Sequence, residues 1–333
     1  MKIRVGTFNL FQFVEPPFSW YTKKEKFNTE QWVQKTTWIK NQITEMNCDI
    51  IGFQEVFSKK ALKTLLDELG FKYFKTIDSP RIDKKNELVY TSTIVALASK
   101  YPIKNLKKVE IDFSALKKHH LNGFFKFARE PIKATITLAN QKELDIYVCH
   151  LKSNRDNEFE YVFTKNSTLD EKKEKVKKAL EENYSISLKQ RLCEASSIFS
   201  DISRTKNPAI LMTDLNDKEF SITIEALSNK KYHNENLIKD DYLMLDAYYH
   251  FEKKIYNPHP EQKEIKRTPT SYFAGKGNVL DYIFVSSLFD KNRKNNIGKI
   301  TSYEVFDKHL QKNQNGSLLN SDHSQVVCEL EFN

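Results

Sequence analysis

The chain has 333 residues, of which 39% are apolar, 12% aromatic and 29% charged, enough apolar material for a sizeable core and too much for a disordered or fibrous chain. Its 53 Lys and Arg against 44 Asp and Glu leave a formal charge of +9, a balance that favours encounter with phosphate-rich partners such as nucleic acid or anionic lipid head groups. No 18-residue apolar run and no basic region leading into a long apolar stretch occurs, so no transmembrane segment is expected and the protein is placed in the cytoplasm by default.

In chain order, the apolar segments Ile3–Phe8, Ile50–Phe53, Thr93–Ala98, Ile132–Leu138, Leu144–Cys149, Ala209–Met212, Val279–Val285 and Val326–Leu330 have strand length and are rich in β-branched and aromatic residues. Helical patterns separate them. Trp32, Thr36, Ile39, Ile43 and Met46 recur at spacings of four and three within Gln31–Met46, on one helical face. Ser58 is placed to cap a helix carrying Leu62, Leu65, Leu66 and Leu69, which Gly70 stops. The stretch from Leu169 to Ile202 ends in a third pattern, Leu188, Leu192, Ala195, Ile198 and Phe199, before the Asn207-Pro208 break. Within it, the alternating charges of Asp170 to Lys178 read as an exposed helix.

Phe11–Asn28, Asp112–Phe127, Asn154–Thr168 and His250–Thr268 read as surface loops. The aromatics of Phe11–Tyr21 and Leu121–Phe127 are expected to pack in the core rather than to touch a membrane. Cys48, Cys149, Cys193 and Cys328 stand far apart without a Cys-x-x-Cys pair and read as reduced core residues. Strands dominate near the C-terminus and alternate with helices before it, which predicts a mixed α/β sandwich. With no linker or repeat, one domain over 1–333 and a monomer are the simplest account.

The informative pattern is polar. Asn9, Glu55, His150, and Asp214 with Asn216 each close an apolar strand, Asp281 lies within one, and Asp322-His323 stands just before another. Strand ends are where a rigid scaffold meets solvent, so side chains placed there can converge on one cleft.

These residues sit in an ordered set of motifs: Thr7-Phe8-Asn9-Leu10, Gln54-Glu55-Val56, Ser99-Lys100-Tyr101-Pro102-Ile103, Arg129-Glu130-Pro131, His150-Leu151-Lys152-Ser153, Asp214-Leu215-Asn216-Asp217, Leu280-Asp281-Tyr282-Ile283-Phe284 and Ser321-Asp322-His323. The set resembles the endonuclease/exonuclease/phosphatase superfamily, the deoxyribonuclease I-like group. That resemblance implies a four-layer α/β sandwich, two face-to-face mixed β-sheets flanked by helices. It implies metal ligation by Glu55, Asn9 and Asp322, an oxygen-rich set suited to Mg²⁺ or Mn²⁺. It further implies that Asp214 and Asn216 position or deprotonate the attacking water, with Asn216 also holding phosphoryl oxygens. His323, oriented by Asp281, and His150 would contact the scissile phosphate, and Arg129 and Lys152 would bind substrate. Thr213 stands where the family usually has glycine.

The expected activity is Mg²⁺-dependent hydrolysis of phosphodiesters in DNA or RNA. The alternatives are a phosphoinositide or inositol phosphatase, a sphingomyelinase-like phosphodiesterase, and an inactive binding module of the same fold.

Overall fold

The computed structural model describes residues 1–119, 121, 125–154, 161–181, 185–233, 240–251, 267–312 and 316–333. Two six-stranded mixed sheets form its centre. The first runs in the spatial order β11-β12-β1-β2-β4-β3, built from β1 (Lys2–Phe13), β2 (Ile50–Val56), β3 (Tyr73–Lys75), β4 (Ile94–Ser99), β11 (Gly298–Phe306) and β12 (Gln325–Phe332). The second runs β9-β10-β8-β7-β6-β5, from β5 (Ile103–Lys108), β6 (Ile132–Thr137), β7 (Glu143–His150), β8 (Ala209–Asp214), β9 (Met244–Asp246) and β10 (Asp281–Ser286). Within these two sheets, among the described residues, only the central pairs β1/β2 and β7/β8 are parallel.

The inner faces meet in one apolar core in which Val5, Ile50, Leu97 and Cys328 of the first sheet pack with Ile136, Val148, Met212 and Ile283 of the second. Outside the first sheet lie α1 (Thr29–Met46) and α2 (Lys59–Glu68), buried through Ile39, Ile43, Leu62 and Leu66. Outside the second lie α4 (Leu169–Glu181), α5 (Ile186–Ile202) and α6 (Ile222–Ser228), with Leu192, Ile198 and Leu227 against Leu211 and Phe284. The result is the four-layer sandwich, because each sheet is apolar on both faces and needs cover on both.

All eight apolar segments are strands, but β3, β5, β9 and β11, the outer strands of the two large sheets, escape a reading based on apolar runs. β5 is Ile-Lys-Asn-Leu-Lys-Lys and largely exposed, and lysine-rich sequence is what an edge strand uses against unwanted pairing. Further departures are local. Strand β1 continues past Asn9 to Phe13 by way of a bulge, with Phe11 and Gln12 at φ 48° and 61°. The expected loop at Asp112–Phe127 contains α3 (Phe113–Lys118), whose start Asp112 caps with bonds to the Ser114 and Ala115 N–H groups. Ser58 precedes α2 but spends its Oγ accepting from Glu15 N–H at 2.8 Å rather than capping the helix.

The charged stretch of α4 has a buried face, where Lys172 pairs with Glu225 at 2.5 Å. Most of the His250–Thr268 reading, at 252–266, and parts of Asn154–Thr168, at 155–160, and Asp112–Phe127, at 120 and 122–124, lie outside the described residues. Of the aromatics expected in the core, Phe13, Trp20 and Phe127 are buried, whereas Tyr21 is exposed. All four cysteines are buried and free. Among the described residues no helix is long and apolar enough to cross a membrane.

The sheets approach closely at Gly52, where a Cβ would sit 2.9 Å from Val148 Cγ1 and 3.0 Å from Met212 Cβ. Inserting carbon there forces the sheets apart, a change that costs about 1–3 kcal/mol in packed cores. Gly52→Val is therefore expected to lower the unfolding free energy by that amount, read as a lower urea midpoint with an unchanged m-value; an unshifted midpoint would show that the sheets have room to spare.

Candidate active site

Register places the first group of polar residues. His150 ends β7 opposite Asp214 at the end of β8, and Asp214 stands opposite Asp281 at the start of β10. Directly opposed residues share a face of the sheet, so an imidazole and two carboxylates form a row along one end of the second sheet. Thr213 leaves this register intact, pairing with Cys149 and Tyr282 in an unbroken strand.

The first sheet completes the group. The Asn9 amide Nδ2 donates to Asp214 Oδ2 at 3.0 Å, crossing from one sheet to the other. His323, just ahead of β12, donates through Nδ1 to Asp281 Oδ2 at 2.7 Å and lies 4.0 Å from Asp214 Oδ2. His150 Nε2 is 3.4 Å from the same Asp214 oxygen, and Asn216 N–H donates to Asp214 Oδ1 at 2.8 Å. Asn216 takes a left-handed conformation, φ 51°, and its Nδ2 donates to Leu151 O at 3.0 Å, tying the loop after β8 to the loop after β7.

Glu55 sits beside this cluster at φ 58°, where β2 is bulged against its neighbour, and accepts Gln12 N–H through Oε2 at 3.1 Å. A positive φ on a glutamate is uncommon and is held here by two adjacent bulges. Asp322 is half-buried, with Oδ1 4.0 Å from His323 Nε2. Ser321 links the two segments by donating Oγ to Asn9 O at 2.8 Å and accepting His323 N–H at 3.0 Å.

Arg129 and Lys152 stand one step further out. Arg129 Nη1 donates at 3.0 Å to Leu151 O, the carbonyl that Asn216 also holds. Lys152 follows in the same loop, half-buried.

Burial dominates the electrostatics. It pushes the Asp214 carboxyl up to about 7, with Asp281 adding to the rise, against the pull of His323, the Asn216 N–H and the Asn9 amide. For His323 burial would favour the neutral ring, but Asp281, Asp214 and the hydrogen bond to Asp281 outweigh it and hold the imidazole well above 6.5. Asp322 is pushed up to about 6 by burial, opposed by His323 and reinforced by Glu55. Asp322 Oδ1 and Asp281 Oδ1 are buried without a hydrogen-bond partner. Unpaired carboxylate oxygens in such a place are costly unless a cation completes them. Among the described residues, atoms of Asp214, Asp281 and His323 also lie within 4.8 Å of one another.

Three residues that organise this site carry no motif. Lys35, on α1, is fully buried, and its ammonium donates to Phe11 O at 2.8 Å, Leu318 O at 2.8 Å and Asn320 O at 3.0 Å. It joins the β1 bulge to the segment that leads into Asp322. Its position four residues before Ile39, on the apolar stripe, was the available signal. Glu194, buried on α5, accepts Ala128 N–H and Lys152 N–H at 2.7 Å each, holding both basic segments. Arg191, one turn earlier, donates to Lys152 O at 3.3 Å and Asn154 Oδ1 at 3.2 Å.

Residues 6–293 match the model of the Endonuclease/Exonuclease/phosphatase family. The chain belongs to that family. Asp322 and His323 lie beyond the matched span, and it is the geometry that adds them to the cluster. Members are phosphoester hydrolases that generally depend on divalent metal, and this chain is a hydrolase of that kind.

Solved structures agree on the fold. A family protein from Leptotrichia buccalis C-1013-b is 17% identical with a TM-score of 0.54, covering 99% of this chain and 100% of that one. The human Nocturnin catalytic domain with bound sulfate anion is 16% identical with a TM-score of 0.55, covering 100% and 95%. Humanized D. rerio TDP2 is 12% identical with a TM-score of 0.52, covering 99% of each. Among curated proteins none matches the sequence.

Because Asp281 supplies the largest lift to His323, Asp281→Asn is expected to move the His323 titration midpoint downward, read by NMR of the ring Cε1–H. A midpoint that stays in place would refute that role for Asp281.

Proposed function

We propose that this chain, working as a single domain, is a nuclease that hydrolyses phosphodiester bonds of DNA or RNA using water and a divalent cation, Mg²⁺ or Mn²⁺. The observation that carries the reading is the Asp214 carboxylate, buried among Asn9, Asn216 and the His323–Asp281 pair. A carboxyl raised to about 7 beside an imidazole held well above its ordinary value forms a base and an acid poised for neutral pH.

Glu55, Asp322 and Asn9 would hold the cation, since an all-oxygen set suits a hard ion and Asp322 Oδ1 is buried and unpaired. They are preferred to the trio of Asp214, Asp281 and His323, in which Asp281 Oδ2 and His323 Nδ1 already bond each other. When bound, the ion supplies Lewis-acid neutralisation of charge on the phosphoryl oxygens.

The chain's own groups do the rest. Asp214 takes the proton of the attacking water, steadied by the Asn216 N–H on one oxygen and the Asn9 amide on the other. His323 keeps Nδ1–H on Asp281 and presents Nε2–H to a phosphoryl oxygen, where fixed charge acts strongly because the ring is buried. His150 adds a second imidazole on the same face, and Arg129 and Lys152 bring positive charge to the approach. The formal charge of +9 favours a polyanionic substrate.

Supercoiled plasmid DNA or a structured RNA is expected to be cut in Mg²⁺ or Mn²⁺ and protected by EDTA. Asp214→Ala and His323→Ala should each lower kcat about 10²–10⁴-fold. No cleavage with any metal, together with turnover of phosphoinositides or sphingomyelin by the same preparation, would replace the nuclease reading with a lipid phosphoesterase. Failure on every phosphoester by folded protein would favour a binding module.

A further inference from the structure

The proposed cation ligands come from three separate stretches of chain: Asn9 within β1, Glu55 within β2 and Asp322 just ahead of β12. The bulge of β1 steers two of them. Phe11 N–H donates to Asn9 Oδ1 at 3.0 Å, and Gln12 N–H donates to Glu55 Oε2 at 3.1 Å. The third ends a segment that doubles back on itself, since a Cβ at Gly316 (φ 66°) would lie 2.5 Å from Asp322 Cα. Both the bulge and this segment depart from regular structure, so their placement depends on partners from elsewhere.

Lys35 is a partner to both. An ammonium has three N–H donors, and here all three go to main-chain carbonyls: Phe11 O at the bulge, at 2.8 Å, and Leu318 O and Asn320 O in the returning segment, at 2.8 Å and 3.0 Å. Phe11 is thus gripped at its carbonyl while its N–H orients Asn9, and Asn320 stands two residues before Asp322. The lysine itself is fully buried on α1, a helix that starts in a capping box of Asn28 and Gln31 and is sunk into the core through Ile39, Ile43 and Met46. A fixed element therefore sets the distance between two irregular ones.

The charge of Lys35 acts the other way. Asp322 and Glu55 are the acids that offset the buried ammonium, and they are the acids a cation would occupy, so a divalent ion and Lys35 repel each other. Placement strengthens metal binding and repulsion weakens it. Removing the lysine shows which dominates.

We propose that Lys35 is a positioning residue for the cation site, holding Asn9, Glu55 and Asp322 in one geometry through the three carbonyls it grips, so that its removal weakens metal binding. The inference rests on the assignment of those three ligands and is independent of which phosphoester is cut.

The test follows Mn²⁺ binding to the full chain by the EPR signal of the free ion, in wild type, Lys35→Met and Lys35→Arg. Lys35→Met is expected to raise the Kd about 10–100-fold, the usual cost of losing a group that orients metal ligands. Lys35→Arg keeps the charge and the donors and is expected to recover most of that loss. Ile198→Ala, a core truncation on α5 outside the other sheet, lowers stability without reaching the brace and is expected to leave the Kd unchanged. Thermal melting verifies that each variant is folded at the temperature of the titration. Should Lys35→Met fail to fold, Lys35→Gln, with two amide donors for three carbonyls, takes its place.

An unchanged or tighter Kd without the lysine overturns the inference, as does an equal loss in Lys35→Arg or in Ile198→Ala. Glu55→Gln and Asp322→Asn test the ligand assignment separately. If both bind Mn²⁺ as wild type does, the assignment has failed and the inference with it. If either weakens binding while Lys35→Met does not, the assignment stands and the role of Lys35 alone falls.

Discussion

A carboxylate that both sheets must reach governs this molecule. Asp214 is 1% exposed at the end of a central strand, and burying a carboxyl without partners would cost several kcal/mol. Its partners come from the opposite sheet, through Asn9, from its own loop, through Asn216, and from the segment before the last strand, through His323. Those three meet only if the two sheets end together and face each other closely, which the missing Cβ at Gly52 allows. Packing of the core and geometry of the site are therefore one constraint. The same burial that makes the cluster expensive also brings its carboxyl near neutrality.

The segments around that centre are braced by buried cations. Lys35 stands in for backbone partners of three carbonyls, Arg191 does so for the loop after His150, and Arg267 pairs with Asp246 at 2.6 Å among the rings of Tyr248, Tyr282 and Tyr303. Lys35 and Arg191 are anchored on helices and reach irregular chain, which would otherwise leave polar groups unsatisfied, whereas Arg267 ties irregular chain to Asp246 and Tyr303 of two strands. Burial lowers the Lys35 ammonium to about 7, with Asp322 and Glu55 opposing the fall. That dependence couples the brace to the acidic residues it positions: removing their charge would remove part of what keeps Lys35 protonated.

Sequence periodicity and strand-end placement carried far. The eight apolar strands were legible because inner strands, covered on both faces, must be apolar along their length. Asn9, Glu55, His150, Asp214, Asn216, Asp281 and His323 were legible because polar residues interrupted those runs. The edge strands β3, β5, β9 and β11 were not, since a strand with a neighbour on one side only needs no apolar run. Arg191 and Glu194 were invisible for a related reason, and Lys35 was marked only by its place on an apolar stripe: a charged residue on a helix reads as solvated until its partners are known.

The sequence by itself determined which side chains stand at strand ends, and with them the family and the chemistry available. Only the tertiary structure decided that Asn9 crosses to Asp214, that His323 turns Nδ1 to Asp281, and that the β1 bulge brings the Gln12 N–H to Glu55. The reason is physical. Strand periodicity is a local property written every second residue, whereas contacts across 205 positions, as between Asn9 and Asp214, exist only once two sheets have packed face to face and fixed their register.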